Sequence, residues 1–151
     1  MGGFGYNAVY LAVQGGNPVT GVIRGDTSFQ IVFDYLVEGI LPPGRLAFQV
    51  LNQEGMVVFS SADTDSSAAM NRLWPTGRTV TRCEIPGRLL APGSYSLTIS
   101  EPDGKEHDII HENIINFTIS EQNSLVARDG RPGIIMPMLS WHEEMVEDEC
   151  S

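Results

Sequence analysis

The side chains best suited to chemistry in this chain are concentrated in one segment. Four of the nine basic residues are arginines within residues 72–88, and a tryptophan lies among them. A guanidinium group presents fixed, forked donors that suit a carboxylate or a phosphate. An aromatic ring stacks on the apolar face of a ligand, which contributes about 0.5–1.5 kcal/mol beyond area burial. The segment therefore predicts a binding patch made of Trp74, Arg72, Arg78 and Arg82.

Strand alternation extends the predicted patch. We expect Cys83 and Ile85 to face the core. Because side chains alternate along a strand, Arg78, Arg82 and Glu84 then lie on the opposite face. Further candidates for stacking or hydrogen bonding to a ligand are Tyr10, Tyr35, Gln30, Asp34, His111 and Asn113. The alternative is that the arginines only offset acids on a solvated face, and that either tyrosine belongs to the core.

Catalytic signatures are missing from the sequence. There is no GxxxxGK[ST] loop for nucleotide phosphates, and the single lysine, Lys105, lies in a turn. There is no GxSxG elbow for a serine nucleophile. Carboxylates such as Asp34 and Glu84 show no defined separation for glycosidase chemistry. We therefore predict no catalytic residue and no cofactor, and we expect the chain not to be an enzyme.

Two histidines, His107 and His111, suggest a metal site only if they lie on a helix. Their isoleucine-rich surroundings favour a strand. Four residues along a strand span about 13 Å, which is too wide for two ligands of one ion. We therefore predict no metal site and expect exposed strand histidines.

Charge and cysteine content narrow the possible partners and compartment. The net charge is −10, which disfavours binding to nucleic acid or to an anionic membrane surface. Two cysteines fit a reducing compartment better than a secreted disulfide scaffold. No apolar run reaches 18 residues and no signal peptide begins the chain, so we expect a cytoplasmic protein.

Turn residues and alternation predict an all-β fold. The chain has 16 Gly and 9 Pro, which favours many turns. About eight strands are predicted: 8–14, 28–37, 46–51, 56–60, 78–85, 95–99, 109–119 and 134–141. This number of short strands predicts a two-sheet antiparallel β-sandwich, either immunoglobulin-like or a jelly roll.

The predicted sandwich occupies residues 8–141. Residues 1–7 are expected to be a disordered leader or a remnant of cloning, and residues 142–151 an acidic tail. The connection between Ser61 and Gly77 is long for a compact β domain. It is either an ordered functional loop or a mobile crossover between the sheets.

A set of short segments, taken in order, resembles a known family. They cover residues 8–141 and read Gly21-Val22-Ile23-Arg24-Gly25-Asp26, Phe29-Gln30-Ile31-Val32-Phe33-Asp34-Tyr35, Ile85-Pro86, Leu89-Leu90, Pro92-Gly93, Tyr95-Ser96-Leu97, Phe117-Thr118-Ile119, Gly133-Ile134-Ile135-Met136-Pro137 and Trp141. In this order and spacing the chain resembles the C-terminal domain of Wzt-type ATP-binding subunits of bacterial O-antigen polysaccharide ABC transporters.

The resemblance implies a non-catalytic carbohydrate-binding module. In that family the module recognises the finished O-polysaccharide, often through a modified non-reducing end, before export from a Gram-negative bacterium. It also implies a homodimer formed by exchange of the last strand, Ile134 to Trp141. Further partners would be the transporter ATPase domain and the membrane permease, at the cytoplasmic face of the inner membrane. Binding residues vary with the glycan, so the resemblance assigns none.

Two other classes of function stay open from the sequence. One is a structural or protein-interaction β-sandwich without a glycan ligand. The other is a cupin-like metal enzyme, which would need metal ligands from several strands.

Overall fold

The computed structural model describes residues 3–13, 16–19, 21–41, 45–63, 74, 76–102, 108–121, 133–135 and 140–142. Nine strands occur within these ranges. They are β1 (Gly3–Val13), β2 (Asn17–Val19), β3 (Gly21–Arg24), β4 (Phe29–Glu38), β5 (Ala47–Asn52), β6 (Val57–Ala62), β7 (Gly77–Ile85), β8 (Gly93–Glu101) and β9 (Ile109–Ser120).

The strands form two sheets. Sheet I has the order β2-β1-β4-β7, and all its pairs are antiparallel. Sheet II has the order β3-β9-β8-β5-β6, and β3 runs parallel to β9 while the other pairs are antiparallel. The prediction of a two-sheet β-sandwich is confirmed, with the correction that sheet II is mixed. The two added strands, β2 and β3, have three and four residues. Neither is long enough to show an alternating pattern.

The core lies between the two sheets and is built by period-2 alternation. In β4 the inward side chains are Phe29, Ile31, Phe33, Tyr35 and Val37, and all are buried. In β8 the inward side chains are Tyr95, Leu97 and Ile99. Burying a large apolar side chain contributes about 1.5–3 kcal/mol, so these two central strands dominate the stability of the sandwich.

Strand β1 begins at Gly3, so the expectation of a disordered leader is wrong for residues 3–7. The ring of Phe4 stacks on Tyr35 with centroids 5.0 Å apart. The hydroxyl of Tyr6 donates to the carbonyl oxygen of Ser100 at 2.8 Å, which links the two sheets. Burial raises the pKa of Tyr6 well above its usual range. This start of the chain is therefore part of the core.

Tyr95 fixes the corner that leads into β8. Its hydroxyl donates to the carbonyl oxygen of Ala91 at 2.6 Å, and burial raises the pKa of Tyr95. Tyr95→Phe leaves that carbonyl buried without this donor. We expect a loss of about 1–3 kcal/mol in the free energy of unfolding, measured by urea denaturation. Tyr10→Phe is the control, because the hydroxyl of Tyr10 has no hydrogen bond within the described residues. Equal stability of the two variants would contradict this role of Tyr95.

Several predicted segments lie wholly or partly outside the described residues. Of the predicted last strand, residues 134–135 and 140–141 are described. Ile135 forms an antiparallel bridge with Leu90, and the amide of Ala91 donates to the carbonyl of Ile134 at 2.7 Å. Residues 136–139, most of the connection between β6 and β7, and the acidic tail from 143 onward lie outside.

Candidate functional site

Strands β1, β4 and β7 present one continuous outer face of sheet I. The register places Tyr10, Val32 and Arg82 in one row across the three strands. A second row contains Ala12, Gln30 and Glu84, and a third contains Ala8, Asp34 and Val80. Arg78 lies on the same face, two residues from Val80 along β7, and it pairs with Leu36 of β4. The inward side chains of β4 and β7 occupy the opposite face, as strand alternation requires.

This face brings together five of the ten residues predicted as binding candidates, namely Tyr10, Gln30, Asp34, Arg78 and Arg82. It is not flat. Val32 and Ala12 point outward and yet are only 1 % exposed each. They are small residues whose row neighbours, such as Tyr10 and Arg82, are larger. The row of Tyr10, Val32 and Arg82 therefore has a low centre between two larger side chains.

An open cleft of about 810 Å³ continues from this face at the start of β4. Its lining includes Gln30, Arg82 and Glu84 from the outer face. The remaining lining residues described come from the end of β1, from two turns and from the first position of β4, namely Val13, Gly16, Asp26, Thr27, Ser28 and Phe29. Among its described lining residues the cleft thus combines one guanidinium, two carboxylates, an amide and two hydroxyls, which together both donate and accept hydrogen bonds.

One wall of the cleft is fixed by a close approach of two backbones. The amide of Gly87 donates to Ser28 Oγ at 3.0 Å, and the amide of Arg88 donates to the carbonyl of Gly25 at 2.7 Å. A Cβ on Gly87 would lie 2.3 Å from the carbonyl oxygen of Asp26. Only glycine fits there, so the turn that carries Asp26 and Ser28 is held against the segment after β7.

Asp34 and Arg78 form a bidentate ion pair on the outer face. Arg78 Nε donates to Asp34 Oδ1 at 3.0 Å, and Arg78 Nη2 donates to Asp34 Oδ2 at 2.6 Å. Asn7 Nδ2 also donates to Oδ1, at 3.3 Å. These hydrogen bonds, those from Arg78 above all, hold the pKa of Asp34 below its ordinary value. The Nε and Nη2 donors of Arg78 are therefore already bound to Asp34 within the protein.

Arg82 differs from Arg78 in this respect. Within the described part of the chain, its guanidinium has no ion pair or hydrogen bond, and its row partner is the apolar Val32. The donors of Arg82 therefore stay available to a ligand on this face.

The ion pair predicts a specific loss of stability in acid. Folding lowers the pKa of Asp34, so its carboxylate stabilises the fold above the ordinary value of 3.8. That contribution is lost as the pH falls from there through the lower pKa of the folded state. We expect the melting temperature of Asp34→Asn to fall less steeply below about pH 4 than that of the unchanged protein. Arg78→Gln should show the same shallower slope. Parallel melting curves for all three proteins would contradict the pairing.

Trp74 does not lie at the surface, which corrects its expected role as a stacking platform. Its side chain is 6 % exposed and packs edge-on against Phe4 and Tyr35, with centroids 5.3 Å and 5.8 Å away. Tyr35 is fully buried in the same cluster. The physical reason is that a large aromatic ring between two sheets removes more apolar surface from water than one on a wet face.

His111 and Asn113 are also apart from this face, because both lie on β9 of sheet II. His111 Nε2 is 3.0 Å from Glu101 Oε2. Arg72 lies outside the described residues. Sequence reasoning missed the turn residues Asp26 and Ser28, because nothing in a local pattern shows which turn borders which sheet face.

Neither a metal cluster nor a membrane span is found in the described ranges. No group of three or more His, Cys, Asp or Glu side chains there could hold an ion. No helix there has the length and apolar character needed to cross a bilayer.

The fold is a two-sheet β-sandwich, and the outer face of sheet I carries polar side chains together with Tyr10. The family model of the Wzt C-terminal domain matches residues 6–130, so the chain belongs to that family. A solved structure called "Crystal structure of the C-terminal domain of wzt" is similar in fold, with a TM-score of 0.70 and 13% sequence identity. The match covers 95% of this chain and 86% of that chain. No curated protein matches the chain in sequence.

Proposed function

We propose that this domain binds an O-polysaccharide on the outer face of sheet I, without catalysing a reaction on it. The observation that carries the proposal is the convergence of Tyr10, Gln30 and Arg82 on one exposed face beside an open cleft. Membership of the Wzt C-terminal domain family supports a role in O-antigen export.

The chemistry of the face suits a sugar. A pyranose ring has an apolar face that stacks on an aromatic side chain, and Tyr10 is the aromatic residue of the outer rows. Its rim of hydroxyls needs both donors and acceptors, which Gln30, Arg82 and Glu84 supply at the cleft. The open cleft of about 810 Å³ gives room for the terminal sugar of the polymer, modified or not.

An acidic group on that terminus would be bound by Arg82. Arg72, Arg78 and Arg82 were all expected to hold such a group. Arg78 instead donates hydrogen bonds from its Nε and Nη2 atoms to Asp34. Arg72 lies outside the described residues. Arg82 therefore carries the charge that is left for the ligand on this face.

The proposal places the domain in a transporter. It would act in the cytoplasm at the inner face of the inner membrane, attached to the ATPase domain and working with the permease. It would form a homodimer by exchange of residues 134–141. The bridge between Ile135 and Leu90 supports the exchange, because the same contact can be made by the segment of a second copy.

The test is a calorimetric titration with O-polysaccharide released from the lipopolysaccharide of the source strain. We expect saturable binding, and we expect Tyr10→Ala and Arg82→Ala each to weaken it. The affinity of Arg82→Ala should fall by about tenfold or more, because this variant loses a hydrogen bond that involves a charged group. Met56→Ala removes an exposed apolar side chain from the β5–β6 turn of sheet II and is the control for Tyr10→Ala. Lys105→Ala removes one positive charge between β8 and β9 and is the control for Arg82→Ala.

The alternative function is a structural or protein-interaction sandwich without a glycan ligand. Absence of binding to this polysaccharide, with unrelated glycans giving the same result, would favour it. Unchanged affinity in both face variants would show that any binding occurs elsewhere.

A further inference from the structure

We propose that the outer face of sheet II carries a second glycan site, a groove along β8 that binds uncharged sugar units from the interior of the same polymer. This proposal rests on the proposed function, because it takes the same polysaccharide as its ligand. It adds a site on the other sheet. That site would bind interior sugar units of the polymer, whereas the site on sheet I would bind its terminus.

The floor of the groove is a row of small hydroxyl side chains. Tyr95, Leu97 and Ile99 of β8 face the core. The residues between and beside them, Ser94, Ser96, Thr98 and Ser100, therefore face outward. Thr98 and Ser100 are only 8 % and 7 % exposed although they lie on an outer sheet face. They are thus sunk between larger neighbours on the adjacent strands.

Two cavities lie in line along this row. The first, of about 360 Å³, includes Ser94 and Ser96 in its lining. The second, of about 470 Å³, includes Thr98 and Ser100. From Ser94 to Ser100 the strand advances about 20 Å at roughly 3.3 Å per residue. A groove of this length suits an extended chain of several sugar units better than a single sugar.

A β-bulge in β9 places an amide beside the middle of the groove. The register between β8 and β9 shifts between Leu97 and Ile99. Opposite the shift, Asn113 has a φ of 52°, a left-handed conformation that asparagine adopts more readily than most other residues. Its backbone amide donates to Thr98 Oγ1 at 3.1 Å, and Ser96 Oγ donates to its Oδ1 at 2.9 Å. These bonds fix the side chain and leave its Nδ2 group without a partner among the described residues.

The bulge is the kind of feature that re-aims a side chain next to a functional site. Asn113 is exposed, and two hydroxyl groups of the facing strand hold it. Its amide donor is therefore placed beside the row of hydroxyls.

The charge of the groove suits a neutral ligand. Among the described residues, none that lines the first cavity is charged, and those with a charge that line the second are Arg45 and Asp108. The whole chain carries −10. Hydroxyl and amide groups both donate and accept, which matches sugar hydroxyls. Ile110 is 57 % exposed at the rim and gives an apolar surface for the C–H face of a sugar.

The test compares whole O-polysaccharide from the source strain with its terminal fragment of one repeat unit. The variant is Asn113→Gly combined with Gln49→Ala. Glycine accepts a positive φ without strain, and Gln49 lines the second cavity and is exposed on β5. If the polymer occupies both sites of one domain, linkage of the two contacts raises its affinity about tenfold or more over the fragment. The double variant should bring polymer affinity down to that of the fragment and leave fragment affinity unchanged.

Failure of this inference and failure of the proposed function are distinguishable. A polymer-to-fragment affinity ratio that stays the same in the double variant, or a ratio of one in the unchanged protein, overturns the groove while fragment binding still supports sheet I. No binding of either probe overturns the proposed function and the groove with it. Circular dichroism and thermal melting of the double variant show whether it is folded. A Ser94→Trp variant, which fills the groove instead, should lower the ratio in the same way.

Discussion

Trp74→Ala is expected to lower the free energy of unfolding by about 3–5 kcal/mol, the range for removing a large aromatic side chain from a core. Trp74 is 6 % exposed and contacts the rings of Phe4 and Tyr35. Removing it leaves a cavity where the start of β1 meets the centre of β4. Because these rings hold β1 to the rest of the core, the loss should extend to the packing of the residues after Gly3.

Urea denaturation, followed by circular dichroism, measures this effect. The matched control is Trp141→Ala, because Trp141 is 90 % exposed and its loss should change stability by no more than about 0.5 kcal/mol. The folded fraction of Trp74→Ala should bind the polysaccharide as the unchanged protein does. A small loss of stability combined with loss of binding would contradict the structure and restore Trp74 as a stacking platform.

Gly87→Ala is expected to lower the free energy of unfolding by about 1–3 kcal/mol, which is the range for overpacking. The added methyl group would lie 2.3 Å from the carbonyl oxygen of Asp26, and 3.1 Å from the amide nitrogen of Ser28. Backbone atoms cannot rotate away, so the turn must move. Since that turn lines the cleft beside sheet I, glycan affinity should also fall.

Gly3→Ala is the control for this variant, because a Cβ at Gly3 meets nothing within 4 Å. Thermal melting gives the change in stability, and titration at a temperature where both variants are folded gives the change in affinity. If Gly87→Ala matched Gly3→Ala in both measurements, the wall of the cleft would not depend on this close approach.

The sequence predicted the central strands well, because alternation is a local property. In β4 and β8 every second residue is apolar, and these residues are buried as expected. The same alternation placed Arg78, Arg82 and Glu84 on one face of β7. The pairing that unites them with Tyr10 and Gln30 needs the register of three strands, which no local pattern contains.

The sequence misled where contacts between distant segments decide the outcome. Trp74 stands near three arginines along the chain, yet in space it lies among Phe4 and Tyr35. Gly3 and Gly5 make the start of the chain look like a flexible leader, while Phe4 and Tyr6 between and after them anchor it to the core. The pairing of Arg78 with Asp34 joins residues 44 positions apart and depends on that same register.

The functional consequence of that ion pair is a division of roles between two similar arginines. Arg78 is held by Asp34 and, through Asp34, by Asn7 of the bulged part of β1. It therefore stiffens the face. Arg82 is left to contact a ligand. On this account Arg82→Lys, which keeps the charge but loses the fork, should retain part of the affinity that Arg82→Ala loses.

Amide chemical-shift mapping shows whether sheet I presents a glycan-binding face. Titration of the isotope-labelled domain with the one-repeat terminal fragment should shift the amides of β1, β4 and β7 around Tyr10, Gln30 and Arg82, together with those of the turn at Asp26. Shifts confined to sheet II, or none at all while the fragment is bound, would contradict the account.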